Sequence, residues 1–116
     1  NEAGGTTNDT DMRVGNSLTG FGLPMGCDGV IEFIQIGWDV DPVAGTETLT
    51  LKINNVEQVD CNLTIISTDG NFGAKERTDG CSGLAFNSLD RISAHIVFTG
   101  DDATDEIFVI RGRNTF

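Results

Sequence analysis

Few residues in this chain could do chemistry, and they lie far apart. His95 is the only histidine, and no serine stands in a Gly-x-Ser-x-Gly elbow, so a charge-relay triad has no partner that the sequence indicates. His95 and Val97 fall on the outward side of an alternating strand, where solvent-exposed or inter-subunit residues are expected. In a trimer, three copies of His95 near an axis would form a pH-sensitive or metal-binding cluster. Asp39, Asp41, Asp101, Asp102 and Asp105 lie in turns, where short polar side chains support the backbone, and none flanks an aromatic groove as a glycosidase pair would. Calcium is the alternative to plain solvated turns. Asp39 and Asp41 stand at i and i+2, and Asp101, Asp102 and Asp105 offer three hard oxygen ligands on one turn, although neither set matches the twelve-residue loop between two helices.

Three cysteines, Cys27, Cys61 and Cys81, allow at most one internal bridge and leave one thiol over. Cys61 and Cys81 flank a long loop and are the first pair to consider for a disulfide; three small half-buried core residues is the other reading. One histidine among three widely spaced cysteines makes no zinc pattern. A sugar-binding surface needs flat aromatic platforms, and only Trp38 and Phe72 offer them in a chain without tyrosine. Trp38 shares a strand face with Ile34 and Ile36, which favours the core. Asn8-Asp9-Thr10 and Asn62-Leu63-Thr64 are acceptor sequences that matter only in a eukaryotic secretory route.

These residues must be held by extended chain. The 116 residues fit one domain, and 15 glycines, two prolines and abundant Thr, Asn and Asp favour turns joined by short strands. No helical window accumulates. Eighteen acidic against seven basic residues give a net charge of −11, which repels phosphate backbones and anionic lipid and argues against nucleic-acid and membrane-surface roles. The longest apolar run, residues 30–40, is interrupted by Glu32, Gln35 and Asp39 and cannot serve as a membrane helix. Position 1 is Asn and no charged-then-apolar leader follows, so a processed or excised piece is expected.

Residues 1–10 carry no hydrophobic pattern and read as an extended arm preceding a domain at 11–116. Residues 30–40 form a strand with Val30, Ile34, Ile36, Trp38 and Val40 on one face and Ile31 and Phe33 on the other, covered on both sides near its start and therefore central. Leu49, Leu51 and Ile53 alternate with Thr48, Thr50 and Lys52, and Asn54-Asn55 suits a tight reversal into Val59, Cys61, Leu63 and Ile65. Residues 67–83 lack a buried face and read as a long loop. Ile92, Ala94, Ile96 and Phe98 then share one side of a late strand, opposite Arg91, Ser93, His95 and Val97. Residues 106–113 close the chain, apolar on both faces as a central last strand would be. Six to eight strands, tight hairpins and longer crossings predict an all-β fold, a two-sheet antiparallel β-sandwich of jelly-roll-like character.

Three stretches carry a resemblance: Leu23-Pro24-Met25-Gly26-Cys27-Asp28-Gly29-Val30-Ile31, then Gly45-Thr46-Glu47-Thr48-Leu49-Thr50-Leu51-Lys52-Ile53-Asn54, then Phe86-Asn87-Ser88-Leu89-Asp90-Arg91-Ile92-Ser93. Together they resemble a β-sandwich module of phage virion proteins (head fibres, decoration proteins, fibre tips), similar also to the C-terminal domains of collagen-like spore-surface glycoproteins. Asn55 and Leu89 stand where that module often has glycine, and three cysteines are unusual for it. The resemblance covers about residues 23–113 and implies a trimeric, surface-displayed domain.

The expectation is therefore a non-enzymatic structural protein of a virion surface, a capsid decoration or fibre-head domain that associates with itself and with a capsid or fibre protein. No cofactor is implied beyond a possible calcium. A carbohydrate-binding adhesin module of a secreted or surface protein is the second expectation, with a glycan as its partner. An extracellular filament subunit completed by exchange of the N-terminal arm is the third.

Overall fold

The computed structural model describes residues 7–12, 23, 24, 26–100, 103, 104 and 106–115, and every regular element among them is a strand. In chain order these are β1 (Thr7–Met12), β2 (Leu23–Pro24), β3 (Gly29–Trp38), β4 (Gly45–Ile53) and β5 (Val56–Ile66). They continue with β6 (Gly73–Arg77), β7 (Ala85–Phe86), β8 (Arg91–Gly100) and β9 (Ile107–Asn114). One antiparallel sheet runs β1-β8-β4-β5, with β2 also beside β8. In the other, β3 is central, flanked by β9 on one side and by β6 and β7 end to end on the other. The two sheets pack as a sandwich. Chain crossings between them follow β2, β3, β5, β7 and β8, which gives the jelly-roll-like character, while β4 and β5 form a hairpin within one sheet.

The inner faces follow from the alternation. Leu49 and Leu51 of β4, Leu63 and Ile65 of β5, and Ile92, Ala94, Ile96 and Phe98 of β8 are buried against Ile31, Ile34, Ile36 and Trp38 of β3. Burial of this apolar surface, at ~25 cal/mol per Å², is the main favourable contribution to the fold. Residues 7–10, the end of the segment read as an arm, pair with β8 of the same chain, Thr7 opposite Thr99 and Thr10 opposite Ile96.

Three expectations are corrected. The last strand, β9, is not central: it pairs with β3 alone among the described strands and lies at a sheet edge, its second apolar face left partly exposed at Ile107 and Val109. In β3, the pairing with β9 shifts between Ile31 and Phe33, a bulge that lets Ile31 and Ile34 both face inward although they are three residues apart. Val30 is consequently only half-buried and Val40 is exposed, and neither shares the core face with Ile34. Residues 67–83 are more than a loop, because β6 lies inside them. Its inward residues are Lys75 and Arg77, opposite Ile36 and Ile34, so its two-residue period is written in cations where apolar side chains would normally reveal it.

Those cations fasten one sheet to the other. Lys75 Nζ donates to the carbonyl of Thr64 (2.7 Å) and Arg77 Nη1 to that of Asn62 (3.3 Å), both on β5. Cys61 of β5 is joined to Cys81, in the connection between β6 and β7, with a Cα–Cα distance of 4.7 Å, and both cysteines are fully buried. Asn54 (φ 52°) and Asn55 (φ 67°) make the β4–β5 turn, the pair of left-handed residues that a two-residue hairpin requires. Beyond the turn β5 bulges: Lys52 pairs with Glu57 but Thr50 with Asn62, and Asn62 Nδ2 closes the excursion by donating to the carbonyl of Val59 (2.7 Å).

Candidate functional site

At the end of the sandwich where β3 finishes and β6 begins, two loops are knitted together around an exposed aromatic residue. The Phe72 amide donates to the carbonyl of Asp39 (2.7 Å), the Asp41 amide to Asn71 Oδ1 (3.1 Å), and the Gly70 amide to Asp41 Oδ2 (3.1 Å). Asp39 in turn donates its amide to the carbonyl of Thr104 (3.0 Å), adding the β8–β9 connection to the cluster. Within this frame Phe72 adopts a left-handed φ of 56° and is 83% exposed. Phenylalanine gains nothing locally from such a conformation, which costs on the order of 1 kcal/mol, so the surrounding bonds hold it there.

Trp38, expected as a possible platform beside Phe72, stands in the same cluster but in its floor. It is 4% exposed, and its indole Nε1 donates to the carbonyl of Gly70 (2.8 Å). Its ring lies so close to Gly73 that a Cβ there would come within 2.2 Å of it. Trp38 therefore offers no face to a sugar; the parity that put it with Ile34 and Ile36 also buried it. Of the two candidates Phe72 remains as an exposed aromatic surface, and the arrangement can contribute apolar stacking on a rigid support.

The loop's anchor includes a titratable pair. Asp69 accepts from the Ile66 amide (2.7 Å) and pairs with Lys75 Nζ (2.7 Å). Desolvation pushes the Asp69 carboxyl up, but the Ile66 amide and the Lys75 ammonium outweigh it and hold the group below the ordinary aspartate value.

The other residues of interest are dispersed. His95 is half-buried on the outer face of its sheet, between Thr50 of β4 and Asp11 of β1, and its Nδ1 pairs with Glu57 Oε1. Val97, two residues along, is exposed. Cys27 keeps its thiol, which donates to Asn114 Oδ1 (2.9 Å). Asp101, Asp102 and Asp105, the candidate calcium ligands, lie outside the described residues, and among the described residues no group of three or more His, Cys, Asp or Glu is arranged to hold a metal ion. No described helix is long and apolar enough to cross a membrane.

Two features went unmarked in the sequence. Glu47 is fully buried, and its Oε2 accepts from the amide of Ala103 (2.7 Å), securing the β8–β9 connection. The signal was present, since Glu47 shares parity with Leu49 and Leu51. The second is a groove of about 370 Å³ on the outer face of the β3 sheet, where Gly37 and Ala74 form a low floor between Ile107 and Val109 on one side and Glu76 on the other. Gln35 Nε2 donates to Glu76 Oε1 (2.7 Å) along its rim. Small residues facing large ones across three strands make such a hollow, and only the pairing of β3 with both β6 and β9 brings them together.

No protein-family model, curated protein or solved structure matches the chain.

Proposed function

We propose that this chain is a non-enzymatic structural module displayed on a virion surface, anchored to a capsid or fibre protein. The observation that carries this reading is the buried Cys61–Cys81 disulfide. Such bonds persist in oxidising surroundings, which include virion and cell surfaces, and are rare in reducing cytosol. Lys75, Arg77 and the disulfide all join β5 to the segment carrying β6, so the charged and sulfur chemistry nearest the loop cluster serves to hold the sandwich closed. The resemblance of residues 23–113 to phage surface modules supports the same reading. Antibodies against the folded domain, applied in immunogold microscopy to intact particles from the native source, should label the outer surface. Label confined to the interior of intact cells would overturn the proposal.

A second reading, a carbohydrate-binding module, is favoured by one observation: Phe72 is held in an unfavourable backbone conformation and projects into solvent. Strained, exposed aromatic residues of this kind cluster at binding sites. A glycan array signal that disappears in Phe72→Ala supports this second reading, and a blank array leaves the structural role.

A further inference from the structure

We infer that β9 pairs antiparallel with β9 of a second copy, about a two-fold axis at Ile110, to join the two β3-containing sheets into one. Exposed sheet edges invite strand addition unless they are blunted. The β5 edge is interrupted by its bulge, and carbonyls of Asn62 and Thr64 accept from Arg77 and Lys75. The β6 edge is five residues long and carries those two cations pointing inward. β9 has neither device. It runs for eight residues without proline, pairs with β3 alone among the described strands, and leaves Ile107 67% and Val109 43% exposed.

A two-fold axis at Ile110 pairs residues 107–113, nearly the whole strand, where an axis at Val109 would pair only 107–111, and in that register the side chains of β9 are complementary to themselves. Ile107, Val109, Arg111 and Arg113 point outward; Phe108 and Ile110 point inward and are only partly buried, as they would be with no strand beyond them. With Ile110 opposite Ile110 of the second copy, Phe108 meets Gly112, Val109 meets Arg111, and Ile107 meets Arg113. On the inward face Phe108 meets glycine and Ile110 its equal, and on the outward face each arginine meets an aliphatic side chain and none lies directly across from another. Moving the axis to Arg111 would set Arg111 against itself, which is unfavourable. Arg111 also arrives partly neutralised, because Glu32 Oε1 lies 3.7 Å from its Nε and its guanidinium rests over Phe33 at 5.9 Å. In a chain of net charge −11, β9 is a strand without a carboxylate side chain, so two copies repel least along this edge.

The inference is independent of where the protein is displayed. It is tested by light scattering and native mass spectrometry of the whole chain across a concentration series. The expected species is a dimer, twice the 12.4 kDa chain. Val109→Glu, which sets a carboxylate opposite Arg111 of the second copy, should tighten the dimer, and Val109→Lys should loosen it, each by about five-fold given two symmetric pairs per interface. Net charge alone predicts the reverse order, since the lysine variant is the less acidic of the two. Both variants should keep the wild-type thermal transition under dilute conditions, because residue 109 faces solvent in the monomer. A monomer at every concentration, a trimer, or a dimer that responds to neither substitution or in the reverse order overturns the inference.

Discussion

Asn54 and Asp90 are clamped to each other. Asn54 Nδ2 donates to Asp90 Oδ1 (2.8 Å), while Asn54 Oδ1 accepts from the Arg91 amide (3.0 Å) and the Asn54 amide donates to the carbonyl of Arg91 (2.8 Å). Asp90 Oδ2 accepts in addition from the amide of Asn87 (2.7 Å). The turn of the β4–β5 hairpin is thereby locked to the start of β8, the strand that carries a full side of the core. Asn54 satisfies the backbone amide and carbonyl of Arg91, and Asp90 the amide of Asn87.

The Asn87 amide first, and the Asn54 side chain second, hold the Asp90 carboxyl below the ordinary aspartate value. A carboxylate whose folded pKa is depressed stabilises the protein above its unfolded pKa, about 4, and that stability is lost as pH falls through the folded pKa. The urea midpoint should therefore drop on acidification below about pH 4, and Asp90→Asn should show a smaller drop together with a lower midpoint at neutral pH. An equal acid dependence in the two proteins would remove Asp90 from the effect.

Lys75→Met should act twice. Losing the bond to the Thr64 carbonyl and the pair with Asp69 should cost about 1–2 kcal/mol in equilibrium unfolding. The exposed β5 edge should also increase self-association through that strand, seen as faster fibril or aggregate formation on mild heating. Unchanged stability and unchanged aggregation would show that the lysine is incidental to the edge.

Phe72→Gly should stabilise the domain or leave it unchanged, with a gain up to about 1 kcal/mol, because glycine accepts the left-handed backbone without a Cβ penalty. A loss of more than that in a denaturation curve would mean that the ring packs on its own chain and is no display element.

Much of this architecture was legible from residues alone, and the illegible parts have physical causes. β4 and β8 each bury one clean face, so Leu49, Leu51, Ile92, Ile96 and Phe98 announced themselves. β3 did not, because its bulge between Ile31 and Phe33 changes parity in mid-strand, and a fixed two-residue period cannot represent that. β6 was hidden because its inward positions hold Lys75 and Arg77, whose partners are carbonyls on a strand eleven and fifteen residues earlier. At the loop cluster, the parity of Trp38 with Ile34 and Ile36 already favoured the core, while no sequence pattern located Phe72. What the sequence could not show is that Gly73 admits the indole and that the Asp39 carbonyl fixes the turn carrying Phe72, neither of which is a local pattern.

The proposed surface display predicts that the Cys61–Cys81 bond is present in the protein as it occurs at its source. The direct measurement is thiol counting by mass: material from the native source is trapped with an alkylating agent at lysis under denaturing, non-reducing conditions. One alkylated cysteine, Cys27, is the predicted result. Three alkylated cysteines would place the chain in a reducing compartment and contradict the proposal of an oxidised module on an external surface.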